Sequence, residues 1–483
     1  MERLQDTVLV LFGVTGDLAR RKILPALYRL DRSGLLPERF HVVGISRKGT
    51  TAEEVVSMIA SSAPTEDDAR EFRARFADRV SVVGMRIDQP GEYEILSRRL
   101  AELDRAEGRP LARIFYLAIP ATLFPLVAGR LSESDINDKT PPRQEARFLI
   151  EKPFGHDAAS ARALVDLVNS RFSPSQVYRI DHYLAKETAQ NILAFRFENP
   201  LFARAWNGRH VSHVRITAAE EIGIEGRAAF YEGMGAFRDL VQSHLLQLLA
   251  LVTMDRPASL AAADVHRAKE ELLSRVMPPS PDRMRAETMR AQYRSYRSEV
   301  GNPDSLVETY AACRLSIDSE KWRGVPILIR TGKALREKVT EITLSFADPA
   351  IRGYRNDLTL RIQPNEGIVT DLRIKKPGFE SECEEVQLDY CYRERADAAP
   401  EAYERVLYDA LRSDQTLFAT GREVLECWRV SEPILKAWAT PGFPIHEYET
   451  GSWGPEAADL LAADAGTRWL DETHRVCPIR FGP

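Results

Sequence analysis

The densest group of reactive side chains in the sequence is RIDHYLAKE (Arg179–Glu187), which sets an aspartate, a histidine, a tyrosine and a lysine within nine positions. If the stretch is helical, His182 and Lys186 stand four apart and point the same way. Together with Tyr183 they would hold an anionic group such as a sugar phosphate. Asp181 would cap the helix or partner a catalytic acid–base group. An exposed helix start has the same composition, so both readings stand on these residues alone. A second group is RDLVQSHLLQLLALV (Arg238–Val252), where His244 and Gln247 interrupt an apolar helix. A lone histidine there is more often a hydrogen-bonded core residue than a base. Asp239 precedes His244 by five positions, about 140° round an ideal helix, so the two are not expected to share a face.

A third group is GVTGDLARRK (Gly13–Lys22), a glycine turn between a predicted strand and a predicted helix. Such a turn lets backbone N–H groups and the helix start approach a pyrophosphate. Its spacing is GxxGDL, not GxGxxG, and it lacks the Lys-Ser/Thr pair of a P-loop. The next predicted strand ends in Ser46, Arg47 and Lys48, where a fold that prefers NAD carries an acid. A guanidinium there pairs with a 2′-phosphate that a carboxylate would repel, so NADP is the expected cofactor. The plainer alternative is a pair of solvated loop charges.

The elements that must position these groups fall into two textures. TVLVLFG (Thr7–Gly13), HVVGIS (His41–Ser46), RVSVVGM (Arg79–Met85), ARIFYLAI (Ala112–Ile119) and ARFLIE (Ala146–Glu151) alternate with helical stretches, which predicts βαβ units and a doubly wound parallel sheet. Beyond Ile180 a helical segment over about 182–197 leads to period-2 stretches, among them HVSHVRITAAE, VPILIRTG, EITLSFA, DLTLRIQP and EEVQLDYCY. These predict a mostly antiparallel sheet with helices on one face. The expected organisation is a Rossmann-like NADP-binding domain over residues 1–180 and an α+β domain for substrate and oligomerisation over 181–483.

Composition bounds the function classes. The chain has 483 residues, 66 Lys and Arg against 71 Asp and Glu, and 44% hydrophobic residues. At about 100–200 residues per domain, that is two to four domains or one compound fold. Collagen-like, disulfide-scaffold and disordered classes are excluded. A net charge of −5 with mixed signs gives no nucleic-acid footprint. Five cysteines without CxxC spacing read as reduced thiols, and nine scattered histidines without HExxH give no metal site. No apolar stretch is long enough for a membrane span, and MERLQDTVLVLFG lacks a signal-peptide pattern. The cytoplasm is the expected compartment, with no membrane or nucleic-acid partner.

GVTGDLARRK, EKPFG (Glu151–Gly155), RIDHYLAKE, EGR (Glu225–Arg227), RDLVQSH (Arg238–His244), IRTGKAL (Ile329–Leu335) and QPNEG (Gln363–Gly367) occur in that order. With these seven blocks the chain resembles the glucose-6-phosphate dehydrogenases over essentially its full length. The resemblance implies an NADP-dependent enzyme that oxidises glucose 6-phosphate to 6-phosphogluconolactone, the first oxidative step of the pentose phosphate pathway. It implies His244 as general base for the C1 hydroxyl and Asp181 as the carboxylate that orients it. His182, Tyr183 and Lys186 match phosphate-binding positions, with Lys338 near the phosphate. Glu220, Asp239 and Lys333 match sugar-hydroxyl contacts, and Gln363 also matches a substrate position. Lys152 matches the lysine that approaches substrate and cofactor, beside Pro153 at a hinge. Gly13, Thr15, Gly16, Asp17 and Leu18 match the nucleotide loop, and Arg47 the 2′-phosphate contact. A homodimer or homotetramer built through the large sheet is implied as well.

The sequence departs from the family pattern at Ala185, Ser243, Ala228, Ala229 and Phe230, where glycine, asparagine, two glycines and tyrosine are usual. Glycine losses beside a substrate pocket would narrow it or stiffen its backbone. They keep open a diverged relative acting on another hexose or amino-sugar phosphate, and a catalytically idle NADP-sensing homologue. A Gfo/Idh/MocA-type oxidoreductase also pairs a Rossmann domain with an EKP motif, but it typically carries GxGxxG, and RIDHYLAKE argues against it.

Overall fold

The computed structural model describes residues 4–47, 49–133, 146–347, 354–392 and 400–470. Their seventeen strands, numbered below in chain order, form two sheets. Two compact units divide the chain: Met1–Ala185 with Ala261–Ala263 and Pro400–Gly421, and Lys186–Leu260 with Asp264–Ala399 and Arg422–Pro483.

In the first unit, β1 (Thr7–Phe12), β2 (Phe40–Ser46), β3 (Val80–Gly84), β4 (Ala112–Leu117), β5 (Arg147–Ile150) and β6 (Val177–Ile180) run parallel in the order β3-β2-β1-β4-β5-β6. This is the doubly wound order of dinucleotide-binding sheets. Every residue of β1, TVLVLF, is buried, as an inner strand of a parallel sheet requires. Residues 400–421, which the sequence reading placed with the second domain, belong to this unit. The reason is local. The helix Ala402–Arg412 buries Val406, Leu407, Ala410 and Leu411 along one stripe, packed in the core around β1. The Arg147 guanidinium donates to the carbonyls of Ala410 and Leu411 at its C-terminus, at 2.6 and 3.2 Å. Downstream of that helix, the two-residue β16 (Phe418–Ala419) adds antiparallel to β6.

In the second unit the strands are β7 (Val211–Ala219), β8 (Val276–Met277), β9 (Thr288–Tyr293), β10 (Tyr310–Ile317), β11 (Ile327–Gly332), β12 (Val339–Phe346), β13 (Asn356–Gln363), β14 (Gly367–Lys375), β15 (Cys383–Cys391) and β17 (His446–Tyr448). They form one sheet in the order β15-β14-β13-β12-β7-β11-β10-β9-β17, with β8 beside β10. The pairings β7–β11 and β9–β17 are parallel and the others antiparallel, so the sheet is mostly antiparallel as expected. Its register fixes the site. Ala219 pairs with Gly332 and with Val339, Gly332 also pairs with Tyr310, and Thr340 pairs with Gln363. One end of the sheet therefore gathers the residues that follow β7 and β11, those that precede β10 and β12, and the last residue of β13.

Cys313 and Cys427 are buried free thiols and Cys383 an exposed one. Cys391 is disulfide-bonded, which corrects the expectation that every cysteine is reduced. Isolated cysteines in sequence carry no sign of a pair that only the fold brings together.

Two helices of this unit, Ala262–Arg275 and Gly421–Trp438, are joined by an ion pair with no exposure at all: Lys269 Nζ lies 2.8 Å from Glu423 Oε2, and both side chains are 0% exposed. Breaking such a pair strands a buried charge. Lys269→Ala should lower the unfolding free energy by about 3–5 kcal/mol in denaturant titration, and Lys269→Met with Glu423→Leu should restore most of it.

Candidate active site

In the first unit the expected cofactor residues gather at the C-terminal ends of the parallel strands, where ligands bind in such sheets. Gly13 follows β1 at φ +78°, and a Cβ there would collide with the Ala118 carbonyl oxygen. Its own carbonyl accepts from the Gly16 amide at 2.8 Å, and the Gly16 carbonyl accepts from Arg20 N at 3.0 Å. Thr15, Gly16, Asp17 and Leu18 thus complete a tight turn that opens the helix, which continues as a π-helical segment over Ala19–Ile23. This bare-backbone cradle fits a pyrophosphate. Arg47 is exposed immediately beyond β2, whereas Lys48 lies outside the described residues.

Lys152 and Pro153 follow β5, joined by a cis peptide bond. Asp181, His182 and Tyr183 follow β6. Asp181 is buried, and its Oδ1 accepts from Tyr183 N at 3.0 Å while its carbonyl accepts from Leu184 N. This turn corrects the expected helix over about 182–197: the helix runs Glu187–Phe197 with Lys186 as its N-cap residue. His182 and Lys186 are therefore not one helical turn apart, and Asp181 caps no helix. A short aspartate side chain that bonds the backbone two residues on favours a turn over helix continuation.

In the second unit Lys186 Nζ lies 3.6 Å from Glu366 Oε1, and Glu366 Oε2 accepts from Thr188 N at 3.1 Å. Burial raises the Glu366 carboxyl above its usual value, against the pull of those partners. Glu220 follows β7 and Lys333 follows β11, and the two form an ion pair. The Lys333 ammonium lies over the Tyr231 ring at 5.4 Å. Its backbone is pinned on both sides, the amide donating to the Thr309 carbonyl at 2.9 Å and the carbonyl accepting from the Tyr448 hydroxyl at 2.7 Å. Lys338 stands exposed before β12, and Gln363, the last residue of β13, donates to Thr340 Oγ1 at 3.3 Å. The sheet register thus brings Glu220, Lys333, Lys338 and Gln363 to one end.

The RDLVQSH segment is a π-helix, Phe237–Leu245, continued by the α-helix Leu246–Thr253. Its i→i+5 pattern stacks residues five apart, so Asp239 and His244 lie toward one face, and the 140° argument for an α-helix does not hold. It packs on β7 and β11. Its first amide, Phe237 N, donates to Glu308 Oε1 at 3.0 Å, and Ala236 N donates to the Glu308 carbonyl at 2.9 Å. Glu308 precedes β10, so the helix begins at the same sheet end as Lys333. Gly235, at φ +71°, leaves no space for a side chain beside the Glu308 carboxylate. His244 is 1% exposed, and Asp239 is half-buried among the groups that raise the Tyr231 phenol, burial being the largest influence there.

Sequence reasoning missed Glu308, Tyr448, Tyr231 and Glu366. Glu366 lies inside a quoted motif, QPNEG, and was legible as a carboxylate beside a turn. The other three act from distant elements with no local pattern. The departures from the family pattern are accommodated, since Ala185, Ala228 and Ala229 do not stand at positive φ. Ala185 is packed in the core of the first unit, and Ala228 and Ala229 open the helix Ala228–Glu232, where alanine is favoured over glycine. Among the described residues no cluster of His, Cys, Asp or Glu could hold a metal ion, and no helix is long and apolar enough to cross a membrane.

A doubly wound dinucleotide-binding unit, and a second unit whose sheet end gathers paired charges under a helix with a buried histidine, define a dinucleotide-dependent oxidoreductase of anionic substrates. Residues 10–191 match the NAD binding domain of glucose-6-phosphate dehydrogenase, and residues 193–470 match its C-terminal domain. The chain is 39% identical to glucose-6-phosphate 1-dehydrogenase 2 of Mycobacterium tuberculosis, over 95% of this chain and 94% of that one. It is 36% identical to glucose-6-phosphate 1-dehydrogenase of Bacillus subtilis, over 96% and 98%. A solved glucose-6-phosphate dehydrogenase in complex with glucose 6-phosphate superposes with a TM-score of 0.89 at 32% identity, over 97% of this chain and 100% of that one. The chain belongs to the glucose-6-phosphate dehydrogenase family. Its activity is that family's, the NADP-dependent oxidation of glucose 6-phosphate at the first step of the pentose phosphate pathway.

Proposed function

We propose that His244 is the general base of this oxidation and Asp181 the carboxylate that holds its tautomer. The observation that carries the reading is the π-helix. It seats His244, buried and on the face of Asp239, on the two strands whose ends carry Glu220 and Lys333. Gly13, Thr15, Gly16, Asp17, Leu18 and Arg47 would hold NADP, which would supply the acceptor for the hydride from C1. The chain's own residues do the rest. His244 takes the proton of the C1 hydroxyl, a task suited to an imidazole. Asp181 stabilises the imidazolium. Glu220, Asp239, Lys333 and Gln363 orient the sugar hydroxyls, and fixing the reactants in one geometry removes most of the entropic barrier. His182, Tyr183, Lys186 and Lys338 hold the phosphate, with Glu366 keeping the Lys186 ammonium extended. Lys152 faces both reactants. The enzyme works in the cytoplasm, a reading that rests on the family.

A second copy of this chain covers the outer edge of the large sheet. On one face of the β14–β15 ladder, Leu372 pairs with Val386, Thr370 with Leu388 and Ile368 with Tyr390, and Leu388 and Tyr390 are exposed. An apolar face of this kind is a protein contact surface, and the family resemblance points to a homodimer or homotetramer.

His244→Asn should lower kcat by about 10²–10⁴-fold while the Kd for glucose 6-phosphate changes by less than about threefold; a variant with wild-type kcat excludes His244 as the base. Arg47→Ala should weaken NADP binding by about 10- to 100-fold and NAD binding hardly at all in fluorescence titration, and equal losses would remove it from the 2′-phosphate. Leu388→Asp should shift sedimentation velocity from the oligomer to the single-chain mass, and an unchanged oligomer would place the interface elsewhere.

A further inference from the structure

Glu151 stands directly after β5, one residue before Lys152, and takes no part in the mechanism above. Its carboxylate accepts from the Tyr116 hydroxyl of the neighbouring β4 at 2.6 Å. Tyr403 of the returning helix Ala402–Arg412 donates to the same carboxylate. The charged groups that face it are Lys152 on its own segment and Asp181 after β6. Beyond Tyr403 lies His182, whose ring is nearly parallel to the phenol at a centroid distance of 6.4 Å and an interplanar angle of 19°. Two strand ends, the turn after β6 and one helix thus converge on a single carboxyl group at the ligand end of the sheet.

We propose that Glu151 is a proton-dependent counter-charge to Lys152, which loosens the hold of this site on its anionic reactants when the carboxyl ionises. The inference rests on the placement of Lys152 beside substrate and cofactor made above. Burial is the largest influence on Glu151 and raises its carboxyl to about 7; the hydrogen bond from Tyr116, the charge of Lys152 and the bond from Tyr403 pull it down, and Asp181 pushes it up. The sign follows. Below that value Glu151 is neutral and donates or accepts within the tyrosine pair, and it sets no negative charge beside Lys152. Above it the carboxylate forms, and its charge offsets part of that of the neighbouring Lys152. By linkage, an anion bound beside Lys152 favours the protonated form, so binding at neutral pH draws a proton from solution.

The test is calorimetric titration of the full-length protein with NADP and with glucose 6-phosphate, in buffers of different ionisation enthalpy. Wild type should bind each ligand about fivefold more weakly at about pH 8.5 than Glu151→Gln does, and equally well at about pH 6. Near neutrality wild type should take up a fraction of a proton on binding that Glu151→Gln does not. The phosphates of the ligands titrate in both proteins, and the difference between the two cancels them. Tyr116→Phe removes a bond that favours the carboxylate, so its inflection should move to higher pH; this variant also decides the matter if Glu151→Gln does not fold. An equal pH dependence in wild type and Glu151→Gln, or an unmoved inflection in Tyr116→Phe, overturns the proposal. Lys152→Ala separates it from the reading it rests on. Unchanged affinities in Lys152→Ala remove Lys152 from the site, whereas weakened affinities with no effect of Glu151→Gln remove only the counter-charge.

Discussion

A lysine ammonium at the foot of a sheet, 3% exposed, cannot stand without a carboxylate, and the second unit is organised around that requirement for Lys333. Glu220 supplies the charge, and it does so because β7 and β11 are parallel neighbours that end in register, Ala219 against Gly332. The Tyr231 ring closes one side of the ammonium, and Thr309 and Tyr448 fix the backbone that carries it. Loops of this kind on the ends of paired strands hold polar groups in place with little freedom left to lose on binding a ligand.

The same sheet end anchors the helix that carries the histidine. Glu308, buried before β10, accepts from the amides that open the π-helix, at the position where a helix leaves its donors unpaired. Burial raises the Glu308 carboxyl, while the Phe237 amide draws it back. Gly235 lets the chain approach that carboxylate with no side chain between them. The wider turn of a π-helix then sets Asp239 and His244 toward one face. π-Helical turns recur at functional sites, and this one places toward one face two ionisable groups that an α-helix would separate.

Much of this was legible in the residues. The alternating apolar runs of the first unit are β1 to β5, and the period-2 stretches HVSHVRITAAE, VPILIRTG, EITLSFA, DLTLRIQP and EEVQLDYCY are β7, β11, β12, β13 and β15. The GVTGDL turn adopts the positive φ at Gly13 that its glycine invites. What could not be read has a common cause: it depends on where the chain returns. The helix Ala402–Arg412 looks like any amphipathic segment until its apolar stripe meets the core around β1. Glu308, Tyr448 and Tyr231 have no motif, and only the strand order brings them to Lys333. The turn that precedes the helix at Glu187 and the start of the π-helix Phe237–Leu245 are held by hydrogen bonds accepted by Asp181 and Glu308, which residue spacing does not show.

The direct measurement is the initial rate of NADPH formation from NADP with glucose 6-phosphate, run beside NAD and a panel of other hexose and amino-sugar phosphates. A strong rate selective for glucose 6-phosphate and for NADP is expected, with the alanines at 185, 228 and 229 neutral. Silence on glucose 6-phosphate with turnover of another sugar phosphate, or silence on all of them, would contradict it.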